Sequence, residues 1–316
     1  MALHQAANAV HAAGGEASVM YIKHQSRQNA WSIKRDSDSI VSTLGFIRRN
    51  RVDKRLVDLK SPTTLEVSVN DHFVVPESMP TLAYALIEMG CPNVYFWWLS
   101  VDNFPLSDAK LLSTQTIMRT CVHLCQSHYA SDYVMKNGGS QTLMLSDVTE
   151  IEEQGLEDNP NERRYDFAYL PNKAQGAEGL IRSLDAKYLG IPLQKMSRAE
   201  MAATLRNTKI FVDFGHHPGK DRVPREAVIC GALPIIRREG AAGFFEDVPV
   251  PDALLVDTEA FFNFDTFEKR FSQVHSELTV WRGKLAGYRA WISQEDQRFE
   301  DEIKDMIAFA RKRDAP

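Results

Sequence analysis

The sequence predicts an α/β protein built as two domains of βαβ units, with mainly parallel sheets and a set of C-terminal helices. Three observations carry this prediction. Short β-branched or aromatic runs alternate with helix-like segments from Asp71 to Asp147; the acidic, apolar-poor segment 151–163 interrupts that rhythm; and the rhythm restarts at Tyr165 before a long amphipathic tail begins at Thr266. At roughly 100–200 residues per domain, a chain of 316 residues accommodates two. The boundaries read as 1–150 for the N-terminal domain, 151–163 for the linker and 164–316 for the C-terminal domain with its terminal helices.

Taken in order, Ala2–Ala13 has helical periodicity and Gly14 and Gly15 end it, while Ala17–Ile22 suits a strand. Asp36 and Asp38 precede what reads as a helix, where N-capping is their expected role. Beyond Asp71 the chain reads strand His72–Glu77, helix Thr81–Gly90, buried strand Asn93–Ser100 and a polar helix around Ser107–Met118. Strand Thr120–Ser127, helix His128–Gly139 and strand Thr142–Asp147 complete the first half. The second half reads strand Tyr165–Pro171, helix Leu180–Leu184, a strand or turn at Leu189–Leu193 and helix Ser197–Thr208, whose Ser197 and Glu200 have capping-box spacing. Strand Lys209–Gly215, helix Pro224–Cys230 and strands Leu233–Ile236 and Ala253–Asp257 follow.

Composition narrows the function classes. With 44% hydrophobic and 25% charged residues, the chain is an ordinary globular protein, and its net charge of -5 (pI about 6.0) argues against a general nucleic-acid binder. Any polyanion site is therefore local. Cys91, Cys121, Cys125 and Cys230 have neither CxxC nor zinc spacing and read as reduced thiols. The N-terminus lacks the basic start and apolar core of an export signal, and no window approaches the ~20 apolar residues of a bilayer span. A cytoplasmic location is expected, with peripheral attachment at the inner membrane face left open.

The segment Asp213–Ile236 concentrates the chemistry. A strand ending near Gly215 and a helix starting near Pro224, read as N1, leave HHPGKDR as their connection. Ligands of open α/β sheets sit at such strand ends, where helix N-termini favour anions. Lys220, Arg222 and Arg225 add positive charge there, and Gly219 permits close approach of a ligand, so a phosphate or diphosphate is the expected guest. It is not a P-loop: Gly215 and Gly219 are one residue too close, and Lys220 is followed by Asp221 instead of Ser or Thr. No GxGxxG follows the first strand of either half, which removes the dinucleotide fingerprint.

Reading onward, Glu226-Ala227 through Gly231 to Pro234-Ile235 resembles the E-A-x-x-x-G-x-P-[VI] signature of GT-B glycosyltransferases, which have two Rossmann-like domains, with one extra residue before Pro234. DFGHHPGKDRVPRE, together with YLPNKAQG, VVPE and WWLSVDNF, is similar to a bacterial group of glycosyltransferase-like proteins associated with surface polysaccharides. The resemblance covers about Asp71–Asp257. It implies a nucleoside diphosphate sugar as donor, bound by the C-terminal domain, and a glycan or lipid-linked acceptor; the loop's cations and helix N–H groups can stabilise the leaving diphosphate without metal, and no other cofactor is expected. Glu226 would grip the donor ribose; Lys220, Arg222 and Arg225 would face the diphosphate; and Lys173, after the strand end, would lie in the donor loop. Many retaining members carry a first glutamate eight positions before the ribose glutamate, where this chain has Pro218. That departure leaves the stereochemical outcome open, with His216, His217, Asp213 and Asp221 as groups able to reach the sugar.

Transfer to a hydroxyl calls for a base when the anomeric centre inverts. Glu77 and Asp102, each following an apolar strand, are the expected candidates at the interdomain cleft, and His128 is a weaker one. His123, inside an apolar run, reads as a core histidine, and adjacent Trp97 and Trp98 must face opposite sides of a strand, so at most one meets a sugar. Two other readings remain: a nucleotide-sugar epimerase, which would need no acceptor, and a non-catalytic partner in a polysaccharide assembly complex.

Overall fold

The run Val94–Trp98 is buried along its whole length, as a parallel strand covered on both faces requires. The computed structural model describes residues 2–25, 30–43, 60–104, 112–149 and 159–315. They fall into two units, one holding Met1–Gln126, Ala130–Asp147 and Gln297–Pro316, the other Ser127–Tyr129 and Val148–Asp296.

The first unit contains the strands β1 (Phe73–Pro76), β2 (Val94–Trp98), β3 (Val122–Cys125) and β4 (Thr142–Met144), paired in parallel in the order β4-β3-β2-β1. Its helices are α1 (Ala2–Ala12), α2 (Pro80–Glu88), α3 (Leu112–Thr120) and, from Ala130 onward, α4 (His128–Lys136). Trp97 and Trp98 are both fully buried; their indole N–H groups donate to the Leu145 carbonyl at 2.8 Å and to His123 Nδ1 at 3.0 Å. Both are core side chains. His123 is a satisfied core histidine, because its Nε2 donates to the Met118 carbonyl at 3.0 Å and burial lowers its pKa.

Asp36 and Asp38 do not cap a helix. Ile33–Asp36 and Ser39–Ser42 pair as an antiparallel hairpin, with Ser37 at φ 55° in its turn. The β-branched pair Ile40-Val41 accounts for the strand, and the residues of the expected helix after Thr43 lie outside the described ones. The expected strand Ala17–Ile22 shortens to Val19–Met20, parallel to Thr63–Thr64.

The second unit holds β5 (Tyr165–Tyr169), β6 (Gly190–Pro192), β7 (Thr208–Asp213), β8 (Leu233–Arg237) and β9 (Leu255–Val256), a parallel sheet in the order β6-β5-β7-β8-β9. Strand order therefore reverses between β5 and β7, the point at which open α/β sheets bind ligands. Helices α5 (Glu178–Asp185), α6 (Arg198–Arg206) and α7 (Arg222–Ile229) connect the strands. The capping box predicted for α6 is present, with Ser197 Oγ accepting from Glu200 N–H and Glu200 Oε2 from Ser197 N–H. Arg163, buried, donates to the carbonyls of Thr208 and Cys230, both at 2.9 Å, and so ties β7 to the end of α7.

The amphipathic tail is broken into α8 (Phe264–Ser276), α9 (Leu278–Lys284), α10 (Ala286–Ser293) and α11 (Glu295–Asp314). Phe267, Phe271 and Val274 of α8 join Phe167 and Ile210 of the second sheet in one core, each buried phenylalanine contributing about 1.5–3 kcal/mol. From Gln297 onward the tail belongs to the first unit, where Ser146 N–H and Oγ donate to Glu302 at 2.6 and 2.7 Å and Phe309 packs edge-on to Tyr95. All four cysteines are buried thiols, and burial pushes Cys121 and Cys125 up to about 12. Among the described residues no helix is long and apolar enough to cross a membrane.

Candidate functional site

Two chain segments leave the sheet at its switch point. After β5 comes a turn, Pro171–Lys173, and after β7 comes the loop 214–221 that leads into α7. Gly215 brings the two together. A Cβ there would lie 2.7 Å from Lys173 Cδ and 3.0 Å from its Cβ, so only glycine lets the lysine stem pass. The Lys173 ammonium then pairs with Asp221 and lies 3.5 Å from the His216 carbonyl.

Asp213 ends β7 fully buried, its Oδ1 accepting from Gly215 N–H at 2.9 Å. Burial would raise this carboxyl, but His217, Lys173 and the Gly215 N–H outweigh it and hold Asp213 below the usual carboxylate range. His217, equally buried, lies between two acids. Its Nε2 is 3.2 Å from Asp213 Oδ2, an ion-pair separation without hydrogen-bond alignment, and its Nδ1 is 3.7 Å from Asp221 Oδ2. Asp213, His217 and Asp221 are near enough to ligate one cation. The Lys173 ammonium already occupies Asp221, however, and the imidazole ring is interposed between the carboxylates, an arrangement better suited to bracing the loop.

Gly240 completes the brace. It bridges to His217 with φ 63°, and Ala241 N–H donates to the His217 carbonyl at 2.8 Å. A Cβ on Gly240 would stand 2.0 Å from that carbonyl oxygen. Gly240→Ala is therefore expected to lose at least about 2 kcal/mol, from positive-φ strain and the clash together. Urea unfolding at an unchanged midpoint would contradict this expectation.

Helix α7 starts at Arg222, two residues ahead of the predicted Pro224, which becomes the third helical residue. Proline is tolerated there because first-turn N–H groups have no intrahelical partner. Asp221 occupies the N-cap position but its side chain makes no cap hydrogen bond, being drawn to Lys173 instead. The start of α7 thus presents its positive end uncapped by that carboxylate. Gly219 and Lys220 are buried beside it, with the Lys220 ammonium 4.7 Å from the centre of the Trp291 ring.

The expected donor-site cations differ in their commitments. Arg222 is half-buried in the first turn of α7. Arg225 is turned inward: Nη1 pairs with Glu295 Oε1 at 2.7 Å, Nη2 donates to the Lys220 carbonyl at 2.8 Å and Nε to the Asp221 carbonyl at 3.3 Å. It holds the loop from behind. Glu226 is buried and its Oε2 has no hydrogen-bond partner. Burial raises the Glu226 carboxyl against the opposing pull of Arg198, Arg222 and Arg225. Arg198, first residue of α6, is an addition that the sequence signalled only as part of a capping box.

In the first unit, Glu77 is buried, and its oxygens accept from Leu99 N–H at 3.0 Å and Asn103 Nδ2 at 3.1 Å. Burial raises its pKa against those bonds. This geometry makes Glu77 a brace for the turn Val101–Asn103, which carries the exposed Asp102.

The two parallel sheets, the switch-point loop and the C-terminal helices define the GT-B fold. The sucrose-phosphate synthase of Thermosynechococcus elongatus matches with a TM-score of 0.61 at 12% identity, over 98% of this chain and 91% of that one. An α,α-trehalose-phosphate synthase (UDP-forming) of Burkholderia vietnamiensis matches with a TM-score of 0.54 at 12% identity, over 86% and 80% of the two chains. The E. coli trehalose-6-phosphate protein bound with UDP-2-fluoro glucose gives 0.56 at 11%, over 77% and 74%. No family model matches the sequence, and no curated protein matches it.

Proposed function

We propose that this protein is a glycosyltransferase that binds a nucleoside diphosphate sugar on its second unit and transfers the sugar to a hydroxyl of a glycan or lipid-linked acceptor. The observation that carries the reading is the Glu226 carboxylate, buried on α7, the helix that follows the switch-point loop, with an unpartnered oxygen and with Arg198, Arg222 and Arg225 favouring its charged form. A buried acceptor without a donor is costly, and a ribose hydroxyl supplies the missing donor. In this reading the uncapped start of α7, with Arg222 and Lys220, takes the diphosphate, so the protein's own cations stabilise the leaving group. Lys173, His217, Gly219 and Arg225 shape and hold the loop. The UDP-forming neighbour and the UDP-2-fluoro glucose complex make UDP the first nucleotide to test. Surface polysaccharide synthesis in the cytoplasm, at the inner membrane face for a lipid-linked acceptor, is the proposed setting.

Thermal unfolding with a panel of nucleoside diphosphates tests the site. A ligand at 100 times its dissociation constant adds about 2.7 kcal/mol, which raises the melting temperature by about 5–11 °C for a domain of this size. If UDP, GDP, ADP, CDP and dTDP all leave it unmoved, the donor site is wrongly assigned. An epimerase would convert the sugar nucleotide with no acceptor present.

A further inference from the structure

Resting on the donor reading above, we propose that Trp291 is a positioning residue for the diphosphate: its indole, carried by the C-terminal helix α10, fixes the Lys220 ammonium at the start of α7. Both residues belong to the second unit, in which α10 packs along α7. Lys220 is only 7% exposed, and its Nζ stands 4.7 Å from the centre of the Trp291 ring. An ammonium within about 6 Å of an aromatic face is attracted by the ring quadrupole, most strongly for tryptophan and more so where water is excluded. The indole is a neutral partner. It holds the Lys220 ammonium without cancelling its charge, whereas the Asp221 carboxylate neutralises Lys173.

The ring is itself held in place. Tyr288, buried one turn earlier on α10, packs against Trp291 with centroids 5.8 Å apart and planes inclined by 37°. Just beyond Trp291, Glu295 pairs with Arg225, whose Nη2 donates to the Lys220 carbonyl at 2.8 Å. One short segment of the tail therefore grips Lys220 at both ends, the ammonium through the Trp291 ring and the carbonyl through Glu295 and Arg225. Anchoring both ends fixes the direction of the side chain. A lysine stem ordered before the ligand arrives loses less rotamer entropy on binding, so a diphosphate seated at the start of α7 meets a cation already in place.

A double-variant comparison tests this assignment. Binding of UDP, GDP, ADP, CDP and dTDP is measured by calorimetry for the parent, Trp291→Phe and Trp291→Leu, each with Lys220 and with Lys220→Met. Trp291→Leu is expected to weaken the nucleoside diphosphate that the parent binds by about 3- to 20-fold. Trp291→Phe keeps an aromatic face and should lose less. A tryptophan that only fills space would matter equally with and without the ammonium, so in the Lys220→Met background the Leu substitution should change affinity by less than about twofold. Equal losses in both backgrounds overturn the proposal. So does Trp291→Leu or Lys220→Met binding within about twofold of the parent, and each of these outcomes leaves Glu226 and the donor site standing. If Trp291→Leu fails to fold, Trp291→Phe in the two Lys220 backgrounds decides by the same comparison. A parent chain that binds none of the nucleoside diphosphates removes the donor reading and this inference together.

Discussion

Replacing Glu226 by glutamine is expected to weaken nucleoside diphosphate binding by about 10- to 100-fold while making the unliganded protein more stable. The first effect follows from losing charge-assisted hydrogen bonds to ribose, worth about 1.5–3 kcal/mol. The second follows from the direction of its pKa. Burial raises the Glu226 carboxyl above its ordinary value of 4.5, so the folded chain retains a proton that the unfolded chain has already released. Stability then falls as pH rises from the ordinary value through the raised one, and stays reduced above it. Glutamine carries no such penalty. The stability gap between Glu226→Gln and the parent should therefore be small near pH 4 and open toward pH 8. Melting curves across that range, with and without nucleotide, check both effects. Unchanged nucleotide affinity would remove Glu226 from the site.

The second large effect is expected from Arg225→Ala. The Arg225–Glu295 pair is 2.7 Å long with both side chains 2% exposed, and Glu295 Oε2 also accepts from Thr149 N–H at 2.9 Å. Removing one partner of a buried pair leaves the other charge uncompensated, at a cost of about 3–5 kcal/mol. The melting temperature should fall by about 6–20 °C, and nucleotide binding should weaken as well, because Arg225 holds the Lys220 and Asp221 carbonyls. Replacing the pair together, Arg225→Met with Glu295→Leu, should recover most of the stability, since apolar isosteres of buried pairs are often neutral or better. Recovery of stability without recovery of binding would locate the role of Arg225 in shaping the loop. A single variant that melts with the parent would show the pair to be energetically idle.

Much of the proposed donor site is legible in the sequence because its residues are close along the chain. Asp213, His217, Lys220, Arg222 and Glu226 lie within one strand–loop–helix connection, and local rules place such a connection at the carboxyl edge of a sheet. Their side-chain commitments were not legible. Arg225 meets Glu295 across 70 residues of chain, and His128 meets Asp247 across 119; no periodicity encodes either pairing. Glu77 and Asp102 were visible as acids after apolar strands, but which of them is buried and hydrogen-bonded depends on Leu99 and Asn103 closing around Glu77. The aspartates at 36 and 38 were misplaced for a related reason. An Asp before an apolar run fits either a helix cap or a hairpin turn, and the partner strand decides.

By itself, then, the sequence determined the succession of strands and helices, the apolar edges that make both sheets parallel, and the presence of an anion-seeking turn before Glu226, because these follow from residue spacing and local backbone preference. The tertiary structure alone decided the strand order that puts Lys173 beside Asp221, the inward turn of Arg225, the grouping of Gln297–Pro316 with the first unit and the Asp247–His128 pair. Each of these joins residues distant along the chain, and such pairs are selected by burial and charge neutralisation once the core has formed.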